Sequence, residues 1–302
     1  MRKILAICGP TASGKTALAV ECAKRIDGEV ISCDALLVYR GLNVGTAKPT
    51  QEEMQGIPHH LIDVCEATDN FSVSDFERIA IPVLEDVFAR GKVPVLCGGT
   101  GFYMNALLYK SSFGSVPADA AVREKYERIA REEGREALHA RLREVDPESA
   151  DKLHFNDVKR VIRALEIYEL TGRKKSVQAD GDVPRYPFEA FAYQYPREEL
   201  YARIERRVDA MIAAGLVEEV QGLLRSGVSE SAQCMQGIGY KEVVESLKNG
   251  DNLSTMSDII KKNTRNYAKR QLTFFKRMEN LHWLDPRNFE ASVQEVCDVY
   301  ES

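Results

Sequence analysis

The octapeptide Gly9-Pro10-Thr11-Ala12-Ser13-Gly14-Lys15-Thr16 directly follows the apolar run Ile4–Cys8 and leads into a helical stretch over residues 17–24. It fits the pattern G-x-x-x-x-G-K-[ST] in the strand–loop–helix setting that such a phosphate-cradling loop requires. Each residue type has a task. Gly9 and Gly14 let the backbone turn so that successive N–H groups face inward as an anion nest, and the helix adds the positive end of its dipole. Lys15 brings a mobile cation for a terminal phosphate, and the Thr16 hydroxyl is a ligand for Mg²⁺. A glycine-rich turn formed by chance is the competing reading, and the flanking strand and helix argue against it. A phosphorylated ligand is expected here, but the loop alone serves kinases, NTPases and diphosphate-dependent transferases alike.

The rest of the first hundred residues alternates short apolar runs with helical patterns. Ile4–Cys8 and residues 30–33, 60–64 and 93–97 read as strands, with helices near 17–26, 50–55, 73–90 and 101–109 as crossovers. Almost uniformly apolar strands are usual in a parallel sheet covered on both faces. The expected fold is α/β, a P-loop NTPase-like doubly wound parallel sheet, with ligands at the carboxyl ends of its strands. The character changes at 111–117. From 119 to 170 the chain is dense in Glu, Arg, Ala and Leu with helical periodicity, residues 180–184 read as a loop, and 188–195 as a returning strand. The predicted organisation is a core of 1–112 and 188–302 with a helical insertion at 113–187. Residues 197–281 read as almost wholly helical, the first of these helices placing Leu200, Ile204, Val208, Met211 and Ile212 on one face.

Composition narrows the function classes. Across 302 residues, 44% hydrophobic and 29% charged content suit an ordinary globular protein with ample core. A net charge of −5 argues against a generally basic nucleic-acid binder but leaves room for a local basic face. Seven cysteines form no C-x-x-C pair, and several lie in apolar strand-like runs. Buried thiols in a reducing compartment are expected, without a zinc site. The chain enters a strand at once and has no run of membrane-spanning length, so a cytoplasmic protein is expected.

Several constellations carry chemistry. Asp34 closes the second strand, next to the phosphate loop in a parallel sheet, and a carboxylate there either binds Mg²⁺ or accepts a proton from a nucleophile; a turn cap is the plainer alternative. Beyond it, Gly45-Thr-Ala-Lys-Pro49 places a hydroxyl and a cation in a loop. Gly98, Gly99 and Gly101 form a second glycine loop after a core strand, with Thr100 offering a hydroxyl at the site's edge. Arg203 and Arg207 share a helix face, where pairing with Glu199 or Glu205 is the plain expectation. Residues 259–278 contain seven basic residues and no acidic one, with Lys261, Arg265, Lys269 and Lys276 in one stripe and Arg270 beside it. In an acidic chain such a helix suggests a polyanion face, and Lys159-Arg-Val-Ile-Arg163 and Arg173-Lys-Lys175 add basic runs.

Taken in order, these stretches resemble the tRNA dimethylallyltransferases, bacterial type. The resemblance runs through nearly the whole chain: G-P-T-A-S-G-K-T (9–16), I-S-C-D (31–34), V-Y-R-G (38–41), G-T-A-K-P (45–49), P-H-H-L-I-D (58–63), G-G-T-G-F-Y (98–103), N-D-V-K-R-V-I-R-A-L-E (156–166), R-V-D-A-M-I (207–212), G-I-G-Y-K-E (237–242) and N-T-R-N-Y-A-K-R-Q (263–271). It implies transfer of a dimethylallyl group from dimethylallyl diphosphate, with Mg²⁺, to N6 of adenosine 37 in tRNA. Asp34 would accept the N6 proton. Lys15, Thr16, Thr100 and Arg207 would hold the leaving diphosphate. A cation-like allylic transition state needs such an anion cradle, and the adenine would be flipped into a channel that the donor enters from the other end. Contacts to the tRNA anticodon stem-loop would come from Asp34, Ala35, Leu36, Leu37 and Thr100, from Lys159, Arg160, Val161, Ile162 and Arg163 of the insertion, and from Gln236, Gly237, Ile238, Gly239, Tyr240 and Lys241. The basic stripe adds Arg265, Lys269 and Arg270. A monomer with no membrane partner is expected.

Two departures stand out. Ala35-Leu36-Leu37 replaces the family's Ser-Met-Gln, removing a side chain able to hydrogen-bond a base edge. Phe274 replaces a Trp and keeps an aromatic face. The rival readings are a prenyltransferase acting on free adenine nucleotide, a P-loop small-molecule kinase with Asp34 activating a hydroxyl, and an RNA-binding protein with a vestigial nucleotide site. The basic last helix and the helical insertion are unexplained by the kinase, and the intact loop with Asp34 by the vestigial site.

Overall fold

β1 (Ile4–Cys8), β2 (Gly28–Ser32), β3 (His59–His60), β4 (Val93–Gly98), β5 (Phe188–Tyr193) and β6 (Leu281–Leu284) form one sheet in the order β3-β2-β4-β1-β5-β6. Every pairing is parallel. The computed structural model describes residues 2–110, 116, 118–177, 183–278 and 280–302. β1, at the centre of the sheet, is buried along its whole length, which is why it carries only apolar side chains. Helix α1 (Lys15–Arg25) and the last helix, Phe289–Glu301, pack Leu18, Ala19, Cys22, Val293 and Val296 onto Leu5, Ile7, Val30, Val95 and Phe191.

The strand expected at 60–64 is confined to His59–His60, because Leu61 (φ 63°) and Asp63 (φ 56°) are left-handed and take the chain out of the sheet. Asp63 is held there by an ion pair with Lys48. β6 is an additional strand at the end of the region read as helical. α2 (Gln51–Met54), α3 (Val73–Ala89) and α4 (Gly101–Leu108) fall where periodicity puts them. The Asp34 strand is not β1's neighbour: β4 lies between them, and the glycine loop after β4 bridges the gap.

The chain divides into two compact units, Met1–Leu108 with Pro184–Ser302, and Tyr109–Val183. The smaller unit begins and ends four residues before the expected 113–187. Its exit is early because the segment before β5 already belongs to the sheet unit: Ile4 N donates to Pro187 O at 2.8 Å, and Arg185 pairs with Glu77 at 2.8 Å. Residues 111–115 and 117, where the composition changes, and most of the 180–184 loop lie outside the described residues. The smaller unit is helical, with α5 (Ala120–Glu132), α6 (Arg135–Val145), α7 (Pro147–Lys152) and α8 (Val158–Thr171) around Tyr126, Ile129, Leu138, Leu142, Val161 and Leu165.

The sheet unit ends with α9 (Arg197–Ala213), α10 (Leu216–Arg225), α11 (Tyr240–Asn249), α12 (Leu253–Phe275) and α13 (Phe289–Glu301). Of the predicted apolar face, Leu200, Ile204 and Val208 are buried and Met211 and Ile212 half-buried. All seven cysteines are buried free thiols. Among the described residues no helix is long and apolar enough to cross a membrane.

Candidate active site

The loop between β1 and α1 is built as an anion cradle. Gly9 (φ 137°), Ala12 (φ 62°) and Gly14 (φ 86°) take positive φ, and α1 starts at Lys15 with no side-chain cap. The loop's carbonyls are taken by protein donors. Arg203 Nε donates to Ala12 O at 2.8 Å, the Tyr195 hydroxyl to Ser13 O at 3.0 Å, and Lys15 Nζ to Pro10 O at 3.2 Å. The N–H groups of Ala12, Ser13 and Gly14 meet no acceptor among the described residues. Ser13 Oγ is buried without a partner. A set of donors without acceptors is an anion site. Burial pushes the Lys15 ammonium below the ordinary lysine range, against the opposing pull of Cys97 and Asp34. A cation under that penalty gains most when a counter-charge arrives.

Asp34 stands beyond β2. Its Oδ1 accepts from the N–H of Leu36 at 2.9 Å and of Leu37 at 3.4 Å, so one oxygen does cap the turn. Oδ2 accepts no hydrogen bond among the described residues, so the carboxylate keeps a basic oxygen. Thr100 Oγ1 accepts from Ala35 N at 3.0 Å and ties the second glycine loop to this turn. Arg207 is not in the solvated pair expected of it. Its Nη2 donates to Thr46 O at 3.0 Å, and burial lowers its pKa while Asp34 opposes that shift. Arg203 likewise turns onto the phosphate loop, its guanidinium 4.9 Å from the Tyr195 ring.

These groups surround two adjoining cavities. The larger, about 380 Å³, reaches from Thr11 and Lys15 past Tyr39 and Ile238 to Tyr267 and Arg270. The smaller, about 60 Å³, lies among Thr16, Ser32, His59 and Cys97. Lys15, Asp34, Thr46 and Arg207 line both. A carboxylate and two cations thus stand where an apolar-walled space meets a small polar one.

Side chains that the sequence did not single out hold this arrangement. Buried Gln271 accepts from Thr11 N at 2.9 Å and donates to Gly99 O at 2.9 Å, clamping the two glycine loops together. Glu219 accepts from the N–H groups of Asn43, Val44 and Gly45 at 2.8, 2.7 and 3.0 Å and from the Tyr240 hydroxyl at 2.6 Å, fixing the loop that carries Thr46. The Tyr267 phenol faces the larger cavity, and burial together with the Asp34 charge pushes it up to about 12. Gln271 lies within the quoted 263–271 motif, whereas Glu219 has no sequence signal.

Several predicted tRNA contacts are placed elsewhere. Tyr240 is fully buried with its hydroxyl on Glu219, because Gly45 leaves no Cβ in its way. Val161 and Ile162 are core residues of the smaller unit, and Arg163 spends its guanidinium on Glu166 (2.5 Å) and Val116 O (2.7 Å). Of that segment Lys159 and Arg160 are exposed. On α12, Lys261 and Arg265 are paired with Asp209 at 2.6 Å and Glu205 at 2.8 Å, while Lys262, Lys269 and Arg270 are exposed, as are Lys276 and Arg277 just past its end. Ala35, Leu36, Gln236, Gly237, Ile238 and Gly239 line the larger cavity and Leu37 the smaller one; Lys241 is exposed.

Fold and site together define a P-loop α/β protein whose anion cradle opens beside an available carboxylate. Residues 37–278 match the family model described as IPP transferase, and the chain belongs to that family. It is 44% identical over 294 residues to the tRNA dimethylallyltransferase of Acetivibrio thermocellus (96% of this chain, 94% of that one), and 44% identical over 300 residues to that of an Exiguobacterium strain (99% and 96%). Among solved structures it is similar to the full-length tRNA isopentenylpyrophosphate transferase of Bacillus halodurans, with 41% identity, TM-score 0.76 and 100% and 96% of the two chains covered. It is also similar to a eukaryotic dimethylallyltransferase solved acting on tRNA, with 28% identity, TM-score 0.81 and coverage of 96% and 75%.

Proposed function

We propose that this chain transfers the dimethylallyl group of dimethylallyl diphosphate to N6 of adenosine 37 in tRNA, releasing diphosphate. The meeting of two cavities at Lys15, Asp34, Thr46 and Arg207 is the observation that carries the reading. The donor's diphosphate lies on the open N–H groups of residues 12–14, with Lys15, Arg207 and the Thr100 hydroxyl around it. Its allylic chain and the flipped adenine share the larger cavity, whose walls include Tyr39, Ile238 and Tyr267. As N6 bonds to the allylic carbon, the carbon–oxygen bond breaks and its electrons go to the diphosphate, where the cradle's cations stabilise them. The N6 proton passes to Asp34 Oδ2, which has no competing donor.

A divalent cation such as Mg²⁺ fits the smaller cavity, because Thr16 offers a hydroxyl there and Ser32 Oγ is buried beside it with no partner. When bound, it neutralises part of the diphosphate charge. The exposed cations of α12, with Arg270 at the cavity wall, support tRNA as the acceptor over a free nucleotide, which needs no surface of that extent. The protein works in the cytoplasm in this reading, and as a monomer, since one unit supplies every group around the cavities. The test is labelled dimethylallyl diphosphate with Mg²⁺ and either unmodified tRNA or AMP. Label is expected on tRNA at adenosine 37. Label on AMP alone, or ATP consumption without prenyl transfer, refutes the proposal.

A further inference from the structure

The smaller cavity contains two buried polar atoms without protein partners, and the reading above draws on only one of them, Ser32 Oγ. Ser32, at the end of β2, is 4% exposed, and its Oγ has no hydrogen-bond partner. His59, at the start of β3, has a buried Nε2 that is equally without one. Both line the cavity together with Thr16 and Asp34. Buried polar atoms are paired in folded proteins, so two orphans in one cavity mark a ligand's place. The adjacent His60 makes the contrast: its Nε2 lies 2.7 Å from Glu29, a contact internal to the fold.

The His59 ring has a defined polarity. Its Nδ1 lies 2.8 Å from the carbonyl oxygen of Ile57, which only accepts, so in the neutral ring Nδ1 carries the proton and Nε2 presents a lone pair. A lone pair repels a phosphate oxygen and welcomes a donor. The cavity therefore has cationic walls for an anion at Lys15 and Arg207, and one wall that refuses it. Water is the donor that fits about 60 Å³. Among the described residues no group of three His, Cys, Asp or Glu side chains is placed to hold a metal directly. A cation that keeps its waters and takes few protein ligands matches that layout.

We infer that His59 and Ser32 are positioning residues in the outer shell of a hydrated divalent cation seated at Thr16. His59 Nε2 and Ser32 Oγ accept hydrogen bonds from its water ligands and hold it against the diphosphate. The inference rests on the diphosphate-and-cation reading above, and it assigns the His-His pair of the 58–63 motif two separate tasks. Such outer partners typically alter metal affinity by about 10–100-fold.

The test is a titration of the full-length protein with Mn²⁺ in the presence of inorganic diphosphate, followed by electron paramagnetic resonance, with thermal unfolding in parallel. H59A is expected to weaken Mn²⁺ binding by about 10–100-fold. H59Q, whose amide oxygen again accepts, should recover most of the loss. S32A should weaken Mn²⁺ binding while leaving Tm unchanged or higher, because its hydroxyl makes no bond in the cation-free fold. Should H59A fail to fold, H59Q and S32A carry the comparison. Mn²⁺ affinity within two-fold of wild type in folded H59A and S32A overturns the inference and leaves the prenyl-transfer reading standing. A directly bonded imidazole nitrogen in the Mn²⁺ spectrum overturns the outer-shell placement. A wild-type protein that binds no Mn²⁺ with diphosphate overturns both this inference and the cation assignment.

Discussion

The two glycine loops look alike in sequence and do different work. In the loop after β1, Gly9 and Gly14 have positive φ, and a Cβ at either would meet nothing closer than 3.5 Å. Their role is backbone shape, and the N–H groups they orient are left open. In the loop after β4, Gly98, Gly99 and Gly101 have no such conformation. A Cβ on them would lie 2.1 Å from Cys33 O, 2.2 Å from Gln271 Nε2 and 2.3 Å from Phe274. Their role is room for the protein itself. The hydroxyls differ too: Ser13 Oγ has no partner, while Thr100 Oγ1 accepts from Ala35 N and has only its own O–H left to offer the diphosphate. Glycine spacing alone does not separate a ligand cradle from a packing joint. The conformation and the nearest neighbour do.

That contrast breaks down if changes in the two loops have the same consequences. The largest expected effect is at Lys15: K15A should cut turnover by about 10²–10³-fold, as loss of one anion-stabilising donor does, with Tm nearly unchanged. A large fall in Tm instead would make the first loop a structural joint. G98A should do the reverse. Forcing a methyl against the Cys33 backbone costs about 1–3 kcal/mol or more of stability, measured by denaturant unfolding, while the folded fraction keeps its diphosphate affinity. Q271L sits between the loops and should disturb both. It strands Thr11 N–H and Gly99 C=O, at about 1–3 kcal/mol for each buried unpaired group, and should also weaken diphosphate binding in calorimetry.

The smallest effect is a pH dependence peculiar to the first loop. Burial lowers the Lys15 pKa from 10.5. Between that lowered value and 10.5 the unfolded chain binds the proton and the folded one does not, so stability of the ligand-free protein rises with pH across this window. Diphosphate affinity should fall over the same range as the cation is lost. K15M should abolish both trends, and their persistence in that variant would assign them to another group.

Much of this architecture was legible in the chain because the signals are local. A uniformly apolar strand followed by G-x-x-x-x-G-K-T defines its own loop, and Asp34 at a strand end is a positional argument that survives the insertion of β4 between the two strands. What escaped depends on partners distant in sequence. Gln271 is one polar residue on a basic helix, and only the approach of both glycine loops makes it a clamp. Lys261 and Arg265 read as a free cationic stripe until α9 brings Asp209 and Glu205 against them. Tyr240 belongs to a segment expected to meet RNA, yet its hydroxyl is buried on Glu219. β6 has four residues, too few for a period to register.

The site divides into a cradle that binds and a carboxylate that takes a proton. D34N separates these tasks, since the amide keeps the size and the turn-capping oxygen but not the base. Its turnover of dimethylallyl diphosphate and tRNA should fall by about 10²–10⁴-fold, with the affinities for inorganic diphosphate and for tRNA within a few-fold of wild type. Turnover close to wild type, or a collapse of either affinity along with it, would contradict the account.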